Sequence, residues 1–187
     1  MTAVTSSYLV PVAQLLREIP SSMEVAFEAP FDEQHEFIPR PRGESDVPLD
    51  AAVSVALRLE AFRGGLRAKG VVGAPWQAEC RRCSKLVEGY NEIAVNERFV
   101  DNPPPDDEEA YPIDGDFIDL AHLVHDAVFL ELPLAPLCRE DCQGLCSECG
   151  IDKNEANCDC RPSMDPRWAT LDALRLLDVS SERSDEE

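Results

Sequence analysis

Aromatic residues make up only 6% of this 187-residue chain, there are three histidines, and 17 Lys and Arg face 37 Asp and Glu. No run of about 20 apolar residues occurs, so no membrane-crossing helix is expected. Met1 to Pro20 lacks the basic start and apolar run of a secretory leader, so export into an oxidising compartment is not expected either. There is no glycine-rich phosphate loop and no nucleophile motif. The shortage of cations is uneven: residues 1–90 carry 10 Lys and Arg against 12 Asp and Glu, whereas residues 91–187 carry 7 against 25. A half with that excess of acid repels a phosphate backbone at long range and suits a basic protein partner, unless its charge serves only solubility.

What is present is cysteine. Six of the eight lie between Cys138 and Cys160, in the order Cys138, Cys142, Cys146, Cys149, Cys158 and Cys160, and the other two form Cys80-Arg81-Arg82-Cys83. Cys146-x-x-Cys149 followed at once by Gly150 has the form of a metal knuckle, and Cys158-x-Cys160 supplies a second close pair, so this quartet matches one tetrahedral Zn²⁺. Cys80, Cys83, Cys138 and Cys142 then make a second quartet, and two structural zinc ions are expected. Disulfides, or a redox-active Cys80–Cys83 pair with thiolates favoured by Arg81, Arg82 and Lys85, are the alternatives.

Along the chain, Val10 to Glu18 reads as a short helix closed before Pro20, and Ser22 to Glu28 as a strand. Residues 30–48 hold four prolines and read as an irregular loop with an extended basic segment, Phe37 to Arg42. Val53, Val55, Leu57, Leu59 and Ala61 share one parity, a strand pattern, and Gly64-Gly65 is a hairpin turn signal. The return strand runs from Leu66 to about Val72, with a further extended piece to Glu79. Cys80 to Cys83 sits in a turn, and Val87 to Val100 resumes the extended pattern. Arg58, Arg63, Arg67, Lys69, Arg81, Arg82 and Lys85 form a candidate nucleic-acid patch, or a solvated face with cations interspersed. Asp101 to Asp116 reads as an acidic loop. Leu120, Leu123, Val124, Ala127, Val128 and Leu130 recur at helical spacing over 119–131. His122 and His125 read as polar residues of that helix's surface, since no third ligand lies nearby. Asp165-Pro166 opens a short amphipathic helix with Trp168, Leu171, Leu174, Leu176 and Leu177.

The expected fold class is α+β: an antiparallel β meander or small barrel with a packed helix, and a C-terminal zinc-binding unit ending in a short helix. The expected boundaries are a β-rich core over 1–137, the cysteine-rich unit over 138–179 and a disordered acidic tail over 180–187. No catalytic residue is expected, because all-cysteine quartets are closed to substrate. Zinc would clamp the segment after the helix (Cys138, Cys142) to the sheet knuckle (Cys80, Cys83) and fold a tail too small to hold itself.

The order Cys80-Arg-Arg-Cys83, Ile118-Asp119-Leu120, Leu130-Glu-Leu132-Pro133, Asp141-Cys142-Gln-Gly144-Leu145-Cys146, Cys149-Gly150, Asn154, Cys158-Asp-Cys160 and Asp165-Pro166-Arg167 resembles the YceD family. These are bacterial proteins described as large ribosomal RNA subunit accumulation proteins, and the resemblance covers roughly Ser22 to Leu177. It implies a cytoplasmic, non-enzymatic factor supporting the large ribosomal subunit. Its partner would be a large-subunit ribosomal protein or precursor ribosomal RNA, with no membrane and no small-molecule substrate. A redox-responsive zinc-thiolate chaperone or sensor is the alternative, because paired thiols can exchange zinc for disulfides.

Overall fold

The structure is a computed structural model that describes residues 7–31, 45–48, 51–101, 103, 110–161 and 167. It divides into two compact units, Met1–Glu140 and Asp141–Glu187.

The first unit is a curled mixed sheet, a half-barrel, with few helices. Its elements are β1 (Leu9–Pro11), α1 (Ala13–Arg17), β2 (Ser22–Pro30), β3 (Ala52–Phe62), β4 (Gly65–Glu79), β5 (Leu86–Val100), β6 (Ala110–Asp114), β7 (Phe117–Asp119) and α2 (Ala121–Leu130). The seven strands lie in the order β1-β7-β6-β5-β4-β3-β2. Four of them, β2 to β5, form the antiparallel meander that the alternation predicts. The shared parity in β3 is its cause: Val53, Val55, Leu57 and Leu59 are all at most 1% exposed. Burial of each contributes about 2 kcal/mol relative to leaving it in water.

Four local expectations change. The helix read over Val10 to Glu18 is a strand followed by the short helix α1, because Val10 pairs with Ile118. The hairpin turn is Arg63-Gly64 and not Gly64-Gly65. Gly65 already pairs with Phe62, and Gly64 supplies the left-handed backbone at φ 96°. The two extended pieces up to Glu79 are one strand, β4. The acidic loop ends early, because Ala110 to Asp114 is strand β6, parallel to β5 at Arg98–Val100, which makes the sheet mixed rather than antiparallel. Five residues with Pro112 among them carry too little alternation to read as a strand. The basic segment Phe37 to Arg42, the helix from Asp165 (Arg167 apart) and the tail from Ser180 lie outside the described residues.

α2 buries Ala121, Leu123, Val124 and Val128 in the same apolar cluster as the sheet. Leu130, which shares the helical spacing, is 84% exposed at the C-terminal end of α2. His125 is half-buried, with its ring stacked on Phe31 and 4.2 Å from Phe129, so it is more than a surface residue. No helix among the described residues is long and apolar enough to cross a membrane.

Polar ties carry the chain from α2 to the knuckle. Trp76 Nε1 donates to Asn91 Oδ1 at 3.0 Å, and Asn91 Nδ2 donates to the Glu131 carbonyl at 2.7 Å. The buried Ser45 hydroxyl donates to the Pro133 carbonyl, and the Arg81 N–H donates to the Pro136 carbonyl at 3.0 Å. The residues before Cys138 are thereby held against the tip of the β4–β5 hairpin. Asn91→Ala removes two of these bonds and leaves the half-buried Trp76 donor unmatched. The expected cost is about 2 kcal/mol, read as a lower urea midpoint with an unchanged slope. An unchanged midpoint would show that the tie contributes nothing.

Candidate metal centres

Local chain geometry makes two knuckles of the same form. The Cys80 N–H donates to the Lys85 carbonyl at 2.8 Å and the Ser84 N–H to the Cys80 carbonyl at 2.9 Å. In the second unit the Cys146 N–H donates to the Ile151 carbonyl at 2.8 Å and the Gly150 N–H to the Cys146 carbonyl at 2.9 Å. The offsets along the chain are identical. The turn needs a left-handed residue after the second cysteine: Gly150 takes it at φ 72°, and Ser84 takes it at φ 56°. Ser84 is the only residue other than glycine with positive φ among the described residues. Gly150 therefore meets the conformational requirement without the cost that Ser84 carries.

The eight predicted ligands gather into two groups, Cys80, Cys83, Cys138 and Cys142, and Cys146, Cys149, Cys158 and Cys160. Within each group the sulfurs all lie within 4.8 Å of one another, close enough to hold a metal ion. None of the eight is in a disulfide. A tetrahedral thiolate site with metal–sulfur bonds of about 2.3 Å has sulfur–sulfur edges of about 3.8 Å. Cys83 Sγ and Cys138 Sγ are 3.6 Å apart, which fits such an edge. The donor set, four soft sulfurs, suits a soft or borderline divalent ion.

The sites differ in exposure. Cys80, Cys83 and Cys142 are buried, with Cys138 exposed, whereas in the other group only Cys146 is buried. Backbone N–H groups aim at one sulfur in each knuckle. Burial raises the Cys80 pKa, but the N–H groups of Cys138, Arg82 and Cys83 outweigh it and bring the thiol from 9.0 to about 6. The N–H groups of Cys149 and Glu148, with the Cys158 thiol, bring Cys146 from 9.0 to about 6. Cys158 is pushed up by its hydrogen bond with the Cys146 sulfur, and Cys160 to about 12 by its hydrogen bond with the Cys149 sulfur and by burial. The first cysteine of each knuckle is thus favoured as a thiolate, and Cys158 and Cys160 would have to release protons to serve as metal ligands.

The second unit is held by a short bridge, Leu145 to Asp152, and by Asn154. Asn154 Oδ1 accepts from the Gln143 N–H at 2.8 Å while its Nδ2 donates to Cys142 Sγ at 3.4 Å. Asn154 thus orients a candidate ligand sulfur. In the sequence it is marked by its place between Cys149 and Cys158 and among the residues that carry the family resemblance.

The seven candidate cations do not gather into one patch. All are exposed. Arg58, Arg67 and Lys69 share one sheet face, with Arg58 opposite Lys69, and Arg63 is in the hairpin turn. Arg81, Arg82 and Lys85 stand at the far tip of the hairpin, roughly 45 Å of strand path from Arg67. Arg58 is also engaged at 3.0 Å by both Glu24 and Glu60. Arg98, absent from the predicted set, lies directly opposite Arg67. Its position follows from the β4–β5 register, which sequence spacing does not reveal.

The two low thiol pKa values set a pH dependence for the metal-free, reduced protein. Both folded values lie below the ordinary 9.0, so their stabilising effect is complete above about 9 and is lost as pH falls through about 6. Ultraviolet thiolate absorbance of the folded, metal-free protein should show an early stage centred near pH 6, from Cys80 and Cys146. A single stage near 9 would show that the N–H groups do not stabilise these sulfurs.

Residues 68–175, which include all eight cysteines, match the family described as "Large ribosomal RNA subunit accumulation protein YceD". An uncharacterized protein of Mycobacterium tuberculosis is 38% identical over 127 residues, which cover 65% of this chain and 61% of that protein. One from Mycobacterium leprae is 35% identical over 135 residues, 69% of this chain and 62% of its own length. The chain therefore spans about three fifths of the length of these mycobacterial relatives. A protein of Arabidopsis thaliana named "Large ribosomal RNA subunit accumulation protein YCED homolog 1, chloroplastic" is 32% identical over 71 residues, 37% of this chain and 22% of that protein. No solved structure matches. With more than half of its length inside the family match, the chain belongs to the YceD family of large ribosomal RNA subunit accumulation proteins.

Proposed function

We propose that this chain is a non-enzymatic, zinc-binding factor that supports large ribosomal subunit biogenesis and ribosomal RNA accumulation in the cytoplasm. The observation that carries the reading is the family match over residues 68–175. The role is one of binding: its partner is a large-subunit ribosomal protein or precursor ribosomal RNA. The acidic second half favours a basic ribosomal protein, and the near-neutral first half favours RNA. Zinc is structural in both quartets. Four thiolates complete a tetrahedral shell and leave no open position for a substrate or a metal-bound water. A cytosol that keeps thiols reduced preserves these ligands.

Two zinc ions per chain are expected after purification under reducing conditions, by elemental analysis. Cys138→Ser should lose one zinc and lower the melting temperature of the whole first unit. Cys158→Ser should lose the other and leave the melting of the first unit close to the parent. Equal losses of melting temperature in the two variants would sink this division.

For the function itself, a tagged copy is sedimented from lysate on a sucrose gradient at low salt, and the fractions are probed for large-subunit precursors. Migration with precursors and not with mature ribosomes is the expected result. Migration only at the top would remove stable ribosomal association and favour redox sensing by the zinc thiolates.

A further inference from the structure

The seven-stranded sheet leaves β1 and β2 as its edges. β1 is three residues ending in Pro11, whereas β2 is nine residues long. Two backbone bonds fix which way the peptide groups of β2 point. At one end the Ala61 N–H donates to the Ser21 carbonyl at 2.9 Å, and at the other the Phe31 N–H donates to the Ala51 carbonyl at 3.0 Å. Antiparallel ladder bonds engage every second residue of a strand, so Met23, Val25, Phe27 and Ala29 use theirs on β3. The N–H and C=O groups of Ser22, Glu24, Ala26 and Glu28 therefore point away from the sheet. No hydrogen bond reaches these backbone groups among the described residues.

The row is closed at the Pro30 end, where the Pro30 carbonyl accepts from the Tyr8 hydroxyl at 2.8 Å and proline itself has no N–H. Short of it, Ser22, Glu24, Ala26 and Glu28 are all exposed. The two faces of the strand differ in chemistry. The face turned from the core is acidic. Arg58 meets Glu24 and Glu60 at 3.0 Å and donates to Ser22 Oγ, so one cation stands among these carboxylates, and Glu28 has no ion pair among the described residues. The other face is apolar: Met23, Val25 and Phe27 are half-buried and packed against the core.

An open edge with unused N–H and C=O groups accepts an extended segment as a further strand. A second copy is a poor occupant. β2 against β2 would gather four carboxylates on one face of the ladder, with Glu24 of one copy directly opposite Glu28 of the other in the register centred on Ala26. A nucleic-acid strand lacks the alternating N–H and C=O period and would bring phosphates to an acidic face. A polypeptide with cations opposite Glu24 and Glu28, and apolar side chains opposite Val25 and Phe27, satisfies the backbone and both faces. That pattern, cation, apolar, any, apolar, cation, reads the same in either strand direction. We propose that β2 is a docking edge for an extended basic segment of a protein partner, which adds a strand beside Ser22 to Glu28. The proposal rests on the ribosomal reading above and places a contact for a basic protein partner on the first unit.

The test uses the full chain in reduced, zinc-loaded form and a labelled peptide about nine residues long, its centre reading lysine, valine, threonine, valine, lysine, at about 50 mM salt. Fluorescence polarisation should show saturable binding that Glu28→Gln weakens about threefold. Ala26→Pro should weaken it about tenfold or more at an unchanged melting temperature, because proline on an edge strand gives up only the N–H that points outward. Methylating the peptide's amide nitrogens at one parity should abolish binding, and at the other should change it less than about twofold. Amide exchange read residue by residue should be fast at Glu24, Ala26 and Glu28 in the free chain and slowed by the peptide, with Val25 and Phe27 slow throughout. Slow exchange at those three residues without peptide shows the edge already covered by this chain and overturns the proposal. Binding that survives Ala26→Pro, or methylation at both parities, overturns strand addition, and an affinity unchanged in Glu28→Gln overturns the charge match. Displacement of the peptide by single-stranded RNA at equal concentration overturns a protein as the occupant. Absence of peptide binding overturns the edge, while migration with large-subunit precursors on the gradient would still stand on another surface, so the two readings fail separately.

Discussion

The register of the β4–β5 hairpin is the constraint on which the first unit depends. Fifteen consecutive residue pairs run from Gly65↔Val100 to Glu79↔Leu86. A slip of one residue would turn Leu66, Ala68 and Val72, all fully buried, out to water and carry Arg67 and Lys69 into the core. The same register sets Cys80 and Cys83 at the tip, places Arg98 opposite Arg67, and aligns Asn91 to take a bond from Trp76 and pass one on to the end of α2. Two glycine–aromatic contacts help to hold it. A Cβ at Gly89 would come within 2.4 Å of the Trp76 ring, and one at Gly73 within 2.2 Å of the Tyr90 hydroxyl, so each aromatic lies over a position that only glycine leaves open.

Charge is handled differently at the two kinds of site. In the knuckles, backbone N–H groups stabilise thiolates without any cationic side chain among the causes, so the turn itself favours the charge state that a metal ligand needs. On the sheet, Arg58 is matched by Glu24 and Glu60, and Arg67 faces Arg98 across the β4–β5 ladder. In a chain of net charge −20, two arginines, Arg67 and Arg98, and two carboxylates, Glu97 and Asp126, line one cleft with aromatic rings.

The sequence by itself determined the elements whose cause is local. Alternation over Val53 to Ala61 specified a strand with one buried face, because a pleated strand sends successive side chains to opposite sides. The spacing Cys146-x-x-Cys149-Gly150 specified a knuckle, because two ligands that close force a tight turn and glycine meets its left-handed step. The division of eight cysteines into two quartets followed from proximity along the chain for one set and from what remained for the other. The helical repeat of α2 was equally legible, although Leu130 shares its spacing and stands in water, since periodicity reports a face and not where the covering element ends.

Tertiary structure decided what depends on residues far apart. The parallel partnership of β6 with β5 joins segments across the acidic stretch and has no local signal. The seven cations, close in sequence, were separated because an extended strand advances about 3.3 Å per residue and carries Arg81 far from Arg67. Arg98, Tyr111 and His125 came to one cleft from β5, β6 and α2, each an unremarkable residue in its own segment. Local pattern is written in the order of residues because neighbouring side chains obey the backbone's period. A shared cleft depends instead on strand register and helix packing, which only the folded chain sets.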